Sequence, residues 1–139
     1  MSSFLSSILP ATTNGGKLPY WLLFISVVSA FNSVQTYQNN TLTRRVYEGN
    51  PNEVTGLSAR TFGTWTLITS IVRGYAAYHL QVAPIYELAQ FTFLVAGFHF
   101  VSEWLYYGTA KLGKGLAGPL VVSSASLIWM YLQKDFYVN

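Results

Sequence analysis

Four long apolar segments, separated by polar connections, dominate the chain. They cover about residues 18–37, 61–80, 85–107 and 115–133. Each provides close to the 20 or so residues that an α-helix, rising about 1.5 Å per residue, needs to cross the hydrocarbon layer of a membrane. The pattern predicts an all-α polytopic membrane protein in the form of one bundle of four transmembrane helices.

The first and fourth segments are the clearest spans. No Asp, Glu, Lys or Arg occurs between Lys17 and Arg44, or between Lys114 and Lys134. The two middle segments contain ionisable residues, so half-buried helices on the membrane surface are the alternative for them. Because those ionisable positions are single and well separated, we expect both segments to span, as a tight antiparallel hairpin that turns before Pro84.

A tail and two longer connections complete the chain. Residues 1–17 are rich in Ser, Thr and Gly, so we expect a surface-lying or disordered tail, followed by one domain over residues 18–139. The connections over residues 38–60 and 108–114 carry five Lys or Arg residues, against two on the opposite side. Since basic loops tend to stay in the cytosol, both connections are predicted to be cytosolic.

Composition supports the membrane class and excludes others. Charged residues make up 9% of the 139 residues and hydrophobic residues 51%, whereas soluble domains carry roughly 25% charged residues. The net charge of +3 is scattered along the chain, which argues against a nucleic-acid partner because such a partner needs a clustered basic surface. The absence of Cys excludes disulfides and thiolate metal sites.

No complete catalytic or cofactor-binding constellation is found in the sequence. His99 and Glu103 share one helix face, but a metal site needs three or four ligands and the chain has two histidines. The stretch from Gly108 approaches a phosphate-binding loop, but Gly115 follows Lys114 where that motif needs Ser or Thr. We therefore expect no catalytic residue, no metal and no cofactor.

Two ion pairs are predicted within the hairpin of the middle helices. Counting depth along antiparallel helices brings Arg60 near Glu103 at one end and Arg73 near Glu87 at the other. Pairing would lower the cost of charges inside the membrane and fix the register of the two helices. In the alternative, each charge extends alone to the membrane interface, and the sequence does not decide between them.

Two stretches are long and specific enough to indicate a family. They are Leu-Ser-Ala-Arg-Thr-Phe-Gly-Thr-Trp at residues 57–65 and Lys-Leu-Gly-Lys-Gly at residues 111–115. With shorter stretches between about residues 18 and 137, they closely resemble the fungal ergosterol biosynthetic protein 28 family. The resemblance implies a multi-pass protein of the endoplasmic reticulum membrane that acts in ergosterol biosynthesis as a non-catalytic scaffold.

The resemblance also implies partners. Members of that family tether the enzymes that remove the sterol C-4 methyl groups: the methyl sterol oxidase, the sterol-4-carboxylate 3-dehydrogenase and the 3-keto sterol reductase. A sterol C-24 methyltransferase is linked to that assembly, and whether the chain also forms a homo-oligomer is left open.

A small sterol- or lipid-binding membrane protein is the alternative function, because the aromatic third segment could line a sterol groove. The candidates for partner contact or for polar contacts inside the membrane are Arg60, Trp65, Arg73, Glu87, His99, Glu103, Lys111 and Lys114.

Overall fold

The computed structural model describes residues 8–10 and 15–138, and these residues form helices joined by short connections, without a strand. The predicted all-α class is confirmed. A 3-10 turn, Pro51–Glu53, lies in the connection between the second and third helices. In chain order the α-helices are α1 (Leu18–Gln38), α2 (Thr41–Val46), α3 (Gly56–Tyr78), α4 (Ala83–Leu105), α5 (Lys114–Leu132) and α6 (Lys134–Tyr137).

The four long helices match the four predicted segments, with shifted ends. The largest shift is at α3, which begins at Gly56, five residues before the predicted start. Thr55 caps it, because its hydroxyl accepts from the Ser58 amide at 3.0 Å while the Ser58 hydroxyl accepts from the Thr55 amide at 2.8 Å. The apolar pattern locates the membrane-facing part of a helix, and the cap sets where the helix begins.

The helices differ in how apolar they are. By length and composition α1, α4 and α5 can each cross a membrane. α3 is as long as α4 but is not among them, since it carries Arg60, Arg73 and several Ser and Thr residues. α3 nevertheless packs against α1 and α4, so it belongs to the same bundle as the three more apolar helices.

The interior of the bundle contains small polar residues beside its apolar core, and many large apolar side chains lie on its surface. Ser33, Ser70 and Ser126 are buried, while Phe31 and Phe98 are exposed for 70% and 74% of their surface. Ser33 and Ser70 satisfy their hydroxyls on backbone carbonyls of their own helices. Soluble domains rarely expose so many large apolar side chains, so the outer surface of this bundle suits lipid.

α1 and α3 form the most closely packed helix pair. A Cβ on Gly63 would collide with the side chain of Thr36, and one on Gly74 would lie 2.9 Å from Ser26 Oγ. The Ser26 hydroxyl donates to the Ser70 carbonyl at 2.6 Å across the same interface. Small residues therefore bring the two backbones together, as is typical of helices that pack within membranes.

α4 and α5 form the second pair, and the hairpin of α3 and α4 joins the two pairs. The buried Tyr86 hydroxyl of α4 donates to the Met130 carbonyl of α5 at 2.6 Å. The indole of Trp21 on α1 donates to Ser126 of α5 at 2.8 Å, which connects the outer helices near one end.

The connections lie at two opposite ends of the bundle. At the loop end, formed by residues 39–55 and 106–113, the Gly49 amide donates to the Thr109 carbonyl at 2.9 Å. Gly108 has a φ of 71°, a left-handed conformation that favours glycine, and its carbonyl lies where a Gly49 side chain would be. The two basic connections thus share one side, as predicted, whereas their cytosolic orientation stays a prediction.

At the terminal end, the amide of Leu18, the first residue of α1, donates to the Tyr137 hydroxyl of α6 at 3.1 Å. Most of the predicted tail, residues 1–7 and 11–14, lies outside the described residues. Of the part that is described, the Ile8 carbonyl accepts a hydrogen bond from the Tyr78 hydroxyl at 2.5 Å.

Candidate functional site

Polar and aromatic side chains from several elements converge at the loop end. They form what we call the loop-end cluster: Tyr47, Trp65, His99, Glu103 and Thr109. The Tyr47 hydroxyl lies 2.5 Å from His99 Nε2, and the Thr109 hydroxyl donates to Glu103 Oε2 at 2.5 Å. The Trp65 ring packs edge-on against the His99 ring, with 5.4 Å between centroids. Three of the predicted candidates, Trp65, His99 and Glu103, are therefore brought together.

The secondary structure explains this convergence. His99 and Glu103 are four residues apart on α4 and so project from one face, as the sequence predicts. Tyr47 follows directly after α2, and its ring packs edge-on against Phe62 of α3 at 5.4 Å. Because α2 is short and packs on both α1 and α5, Tyr47 at its end lies next to the last turns of α4.

The electrostatics of the cluster keep Tyr47 protonated. Burial raises the pKa of the Tyr47 phenol well above its ordinary value, and the nearby negative charge of Glu103 raises it further. A phenol that holds its proton at all physiological pH values can donate to the His99 ring nitrogen. The protonated hydroxyl therefore keeps a hydrogen bond that connects a loop residue to α4.

The cluster holds the loops rather than presenting free reactive groups. Glu103 accepts through its carboxylate from Thr109 and through its backbone carbonyl from the Ala110 amide at 3.1 Å. Within the described residues no three His, Asp or Glu side chains come together as a metal site would require. A cavity of about 580 Å³ opens beside the cluster, with the polar side chains of Asn50 and Ser58 on its wall.

Neither predicted ion pair is formed. Arg73 donates from Nε to the Thr92 hydroxyl at 3.1 Å and lies 4.0 Å above the ring of Phe93. Glu87 instead accepts from Lys134 at 2.8 Å, the sole ion pair in the part of the chain that the structure describes. Glu87 and Thr92 are five residues apart and project from different faces of α4, so Glu87 faces the C-terminal segment and Thr92 faces Arg73.

The second predicted pair fails for a similar reason. The Arg60 guanidinium folds back along its own helix, with Nη1 3.1 Å from the position of a Cβ on Gly56. The Glu103 carboxylate instead accepts a hydrogen bond from Thr109. The remaining candidates, Lys111 and Lys114, are exposed at the loop end and take no part in the cluster.

Sequence reasoning missed Tyr47, Thr92, Thr109 and Lys134. Tyr47 and Thr109 lie in connections that have no periodic pattern, and Lys134 follows the last apolar segment. One signal was available for Thr109, because it follows Gly108 at a turn that returns the chain to α4.

The family model and the individual relatives that match this chain indicate the same family. The model of the Erg28 like protein family matches residues 18–128. Ergosterol biosynthetic protein 28 of Candida albicans is 76% identical over all of both chains. The Saccharomyces cerevisiae protein of the same name is 58% identical, covering 89% of this chain and 84% of its own length. The homolog of Homo sapiens is 40% identical, covering 79% of each chain.

No solved structure matches the chain. The family model nevertheless covers most of the four-helix bundle, including the loop-end cluster, and relatives from yeasts to human align along most of their length. The chain therefore belongs to the Erg28 like protein family, the ergosterol biosynthetic protein 28 family.

Proposed function

We propose that this protein is a non-catalytic scaffold of the endoplasmic reticulum membrane that tethers the enzymes of sterol C-4 demethylation. The observation that carries the proposal is the similarity, over 89% or more of the chain, to relatives named for ergosterol biosynthesis. The engagement of His99 and Glu103 with loop residues supports a structural role for the most reactive side chains of the loop end.

The proposed partners are the methyl sterol oxidase, the sterol-4-carboxylate 3-dehydrogenase and the 3-keto sterol reductase, with a sterol C-24 methyltransferase as a further member. Their shared substrates are sparingly soluble lipids. Enzymes held side by side pass such intermediates at a high effective concentration, so a tether raises flux without any chemistry of its own.

The partner surface that we favour is the loop platform, defined as Tyr106, Tyr107, Lys111, Leu112 and Lys114. Tyr106 is 81% exposed, and the apolar side chain of Leu112 is also on the surface. Exposed aromatic residues dominate the energy of protein interfaces, and nearby lysines steer acidic partners. The loop-end cluster holds this connection in place through Thr109 and Ala110, which would present the platform in one fixed arrangement.

Affinity purification from membranes in a mild detergent tests the proposal. The full-length chain serves as bait, and an unrelated four-span protein of the same membrane, expressed at the same level, is the control. We expect the three demethylation enzymes to co-purify with the chain and not with the control. Failure to recover any of the three would overturn the scaffold role.

A further inference from the structure

A separate cavity of about 250 Å³ lies between the four long helices. Phe62 and Trp65 line both this cavity and the one at the loop end, so their rings form the wall between them. The cavity extends along α3 from Phe62 to Arg73, which is about 16 Å at 1.5 Å per residue. Most of its lining is apolar, with aromatic rings from three helices: Trp21, Phe24, Phe62, Trp65 and Phe100.

The cavity opens sideways between α1 and α5. At the terminal end these helices meet where Trp21 contacts Ser126, and at the loop end α2 closes the gap by packing its backbone on Gly115. Between those points α1 and α5 do not pack along their length. Phe24 and Val28 line the cavity and are also exposed, so they border a lateral window that faces lipid when the bundle lies in a membrane.

Arg73 places a positive charge on the cavity wall. It is 6% exposed, and its Nε donates to Thr92. No Asp or Glu carboxylate lies within ion-pair distance of it among the described residues. A buried cation inside a membrane is costly unless an anion neutralises it. The guanidinium has four further N–H donors on its terminal nitrogens, which have no hydrogen-bond acceptor in the described part of the protein.

A buried hydroxyl without a hydrogen-bond partner in the described part of the chain belongs to the same wall. The Thr66 hydroxyl is buried, has no hydrogen-bond partner among the described residues, and belongs to a residue that lines the cavity. Thr66 is seven residues before Arg73, two turns along the same face of α3. One wall of a mostly apolar cavity therefore carries a cation and, two turns away, a threonine whose hydroxyl is unsatisfied within the described residues.

We propose that this cavity binds a membrane lipid with a rigid apolar body and a single carboxylate, which enters between α1 and α5 and places its carboxylate at Arg73. A guanidinium matches a carboxylate with two parallel hydrogen bonds. A lining of stiff aromatic rings favours a rigid body, because such a ligand loses little conformational entropy on binding. The cavity is slightly smaller than the roughly 300 Å³ at which small-molecule pockets begin, so the rest of the lipid extends through the window into the bilayer.

Photolabelling of the purified full-length protein in lipid nanodiscs tests the proposal. The probe is a photoreactive sterol that bears a ring carboxylate, and only the choice of a sterol as the rigid body rests on the proposed function. Its methyl ester removes the charge alone, and a photoreactive long-chain fatty acid keeps the carboxylate on a flexible body. We expect saturable labelling by the sterol acid, about tenfold stronger than by either comparison probe. Equal labelling by acid and ester, or stronger labelling by the fatty acid, would overturn the proposal.

Variants show whether the label occupies this cavity. Arg73→Gln should lower labelling by the acid about tenfold while labelling by the ester is unchanged. Arg44→Gln, which removes an exposed cation at the loop end, is the matched control and should have no effect.

A second variant closes the cavity without touching Arg73, in case Arg73→Gln does not fold. Gly118 lines the cavity, and a Cβ there meets nothing within 4 Å, so Gly118→Leu adds bulk at a position that has room for the start of a side chain. It should abolish labelling, whereas Ala125→Leu on the exposed side of α5 should not. Unchanged labelling of a folded Gly118→Leu variant would refute binding in this cavity. Co-purification of the demethylation enzymes, measured with the same variants, reports on the scaffold role separately.

Discussion

The hydroxyl of Tyr47 lies 2.5 Å from Nε2 of His99, a residue 52 positions further along the chain. This contact joins the connection after α2 to the last turns of α4, and the Tyr47 ring also packs on Phe62 and Phe100. The connection after α2 is thus joined to the bundle by a hydrogen bond inside an aromatic cluster.

Removal of that hydroxyl should destabilise the loop end. Tyr47→Phe keeps the ring packing but leaves the His99 nitrogen without its partner, so we expect a loss of about 1 kcal/mol and a Tm lower by a few degrees. Thermal unfolding in a mild detergent, followed by tryptophan fluorescence, measures the difference. Tyr131→Phe, at a tyrosine that is 78% exposed, is the control and should leave Tm unchanged. Equal Tm values for Tyr47→Phe and the unmodified protein would contradict the structural role of the bond.

The same tyrosine predicts a dependence on alkaline pH. Burial and Glu103 raise the pKa of the folded Tyr47 phenol, whereas an unfolded tyrosine titrates near pH 10 or so. Above that pH the unfolded chain binds fewer protons than the folded one, so stability falls by about 1.4 kcal/mol per pH unit for this group. The stability advantage over Tyr47→Phe should therefore be constant below pH about 9 and shrink above pH about 10. A gap that stays constant up to pH about 11 would show that Tyr47 ionises equally in both states.

The sequence predicts the long helices of this protein but not the side-chain contacts between them. The apolar segments predicted all four long helices because burial in lipid selects long uncharged runs, as in α1 and α5. The partner of Arg73 could not be predicted, since depth along a helix is readable from residue number but rotation about its axis depends on packing with every neighbour. Tyr47 was missed because a six-residue helix in a polar connection has no hydrophobic period to detect.

The ion pair between Glu87 and Lys134 should contribute little to stability. Its side chains are 46% and 37% exposed, and exposed pairs stabilise by about 0–1 kcal/mol. We expect Glu87→Lys to lower stability by up to about 1 kcal/mol and the swap Glu87→Lys with Lys134→Glu to restore it. A double-mutant cycle on thermal unfolding measures the coupling energy. If the swap is no more stable than the single variant, the contact has no energetic role. Because Arg73 and Glu87 do not form the predicted ion pair, Arg73→Glu should show no coupling energy with Glu87→Lys.

The packing of α1 on α3 predicts a sharp difference between two glycines. Gly63→Ala would drive a Cβ into the Thr36 side chain and to 3.1 Å from the Ser33 carbonyl, so we expect a loss of about 1–3 kcal/mol. Gly97→Ala is the matched control, because its Cβ would lie 3.6 Å from Ser123 Oγ, an ordinary contact. Alanine favours helix over glycine by up to about 1 kcal/mol, so Gly97→Ala should be neutral or stabilising. Similar Tm values for the two variants would argue against the close approach of α1 and α3.

The loop platform predicts which surface charges matter for partner binding. Lys111→Glu with Lys114→Glu should lower recovery of the demethylation enzymes about tenfold, because reversed charge repels an acidic partner and slows encounter. Leu112→Asp should act similarly by placing a charge in an apolar contact. Lys17→Glu, at an exposed lysine of the terminal end, is the matched control. Quantitative mass spectrometry of the co-purified proteins, normalised to bait, gives the comparison. If Lys17→Glu lowers recovery and the platform variants do not, the enzymes bind at the terminal end, and the scaffold would work from the opposite side of the bundle.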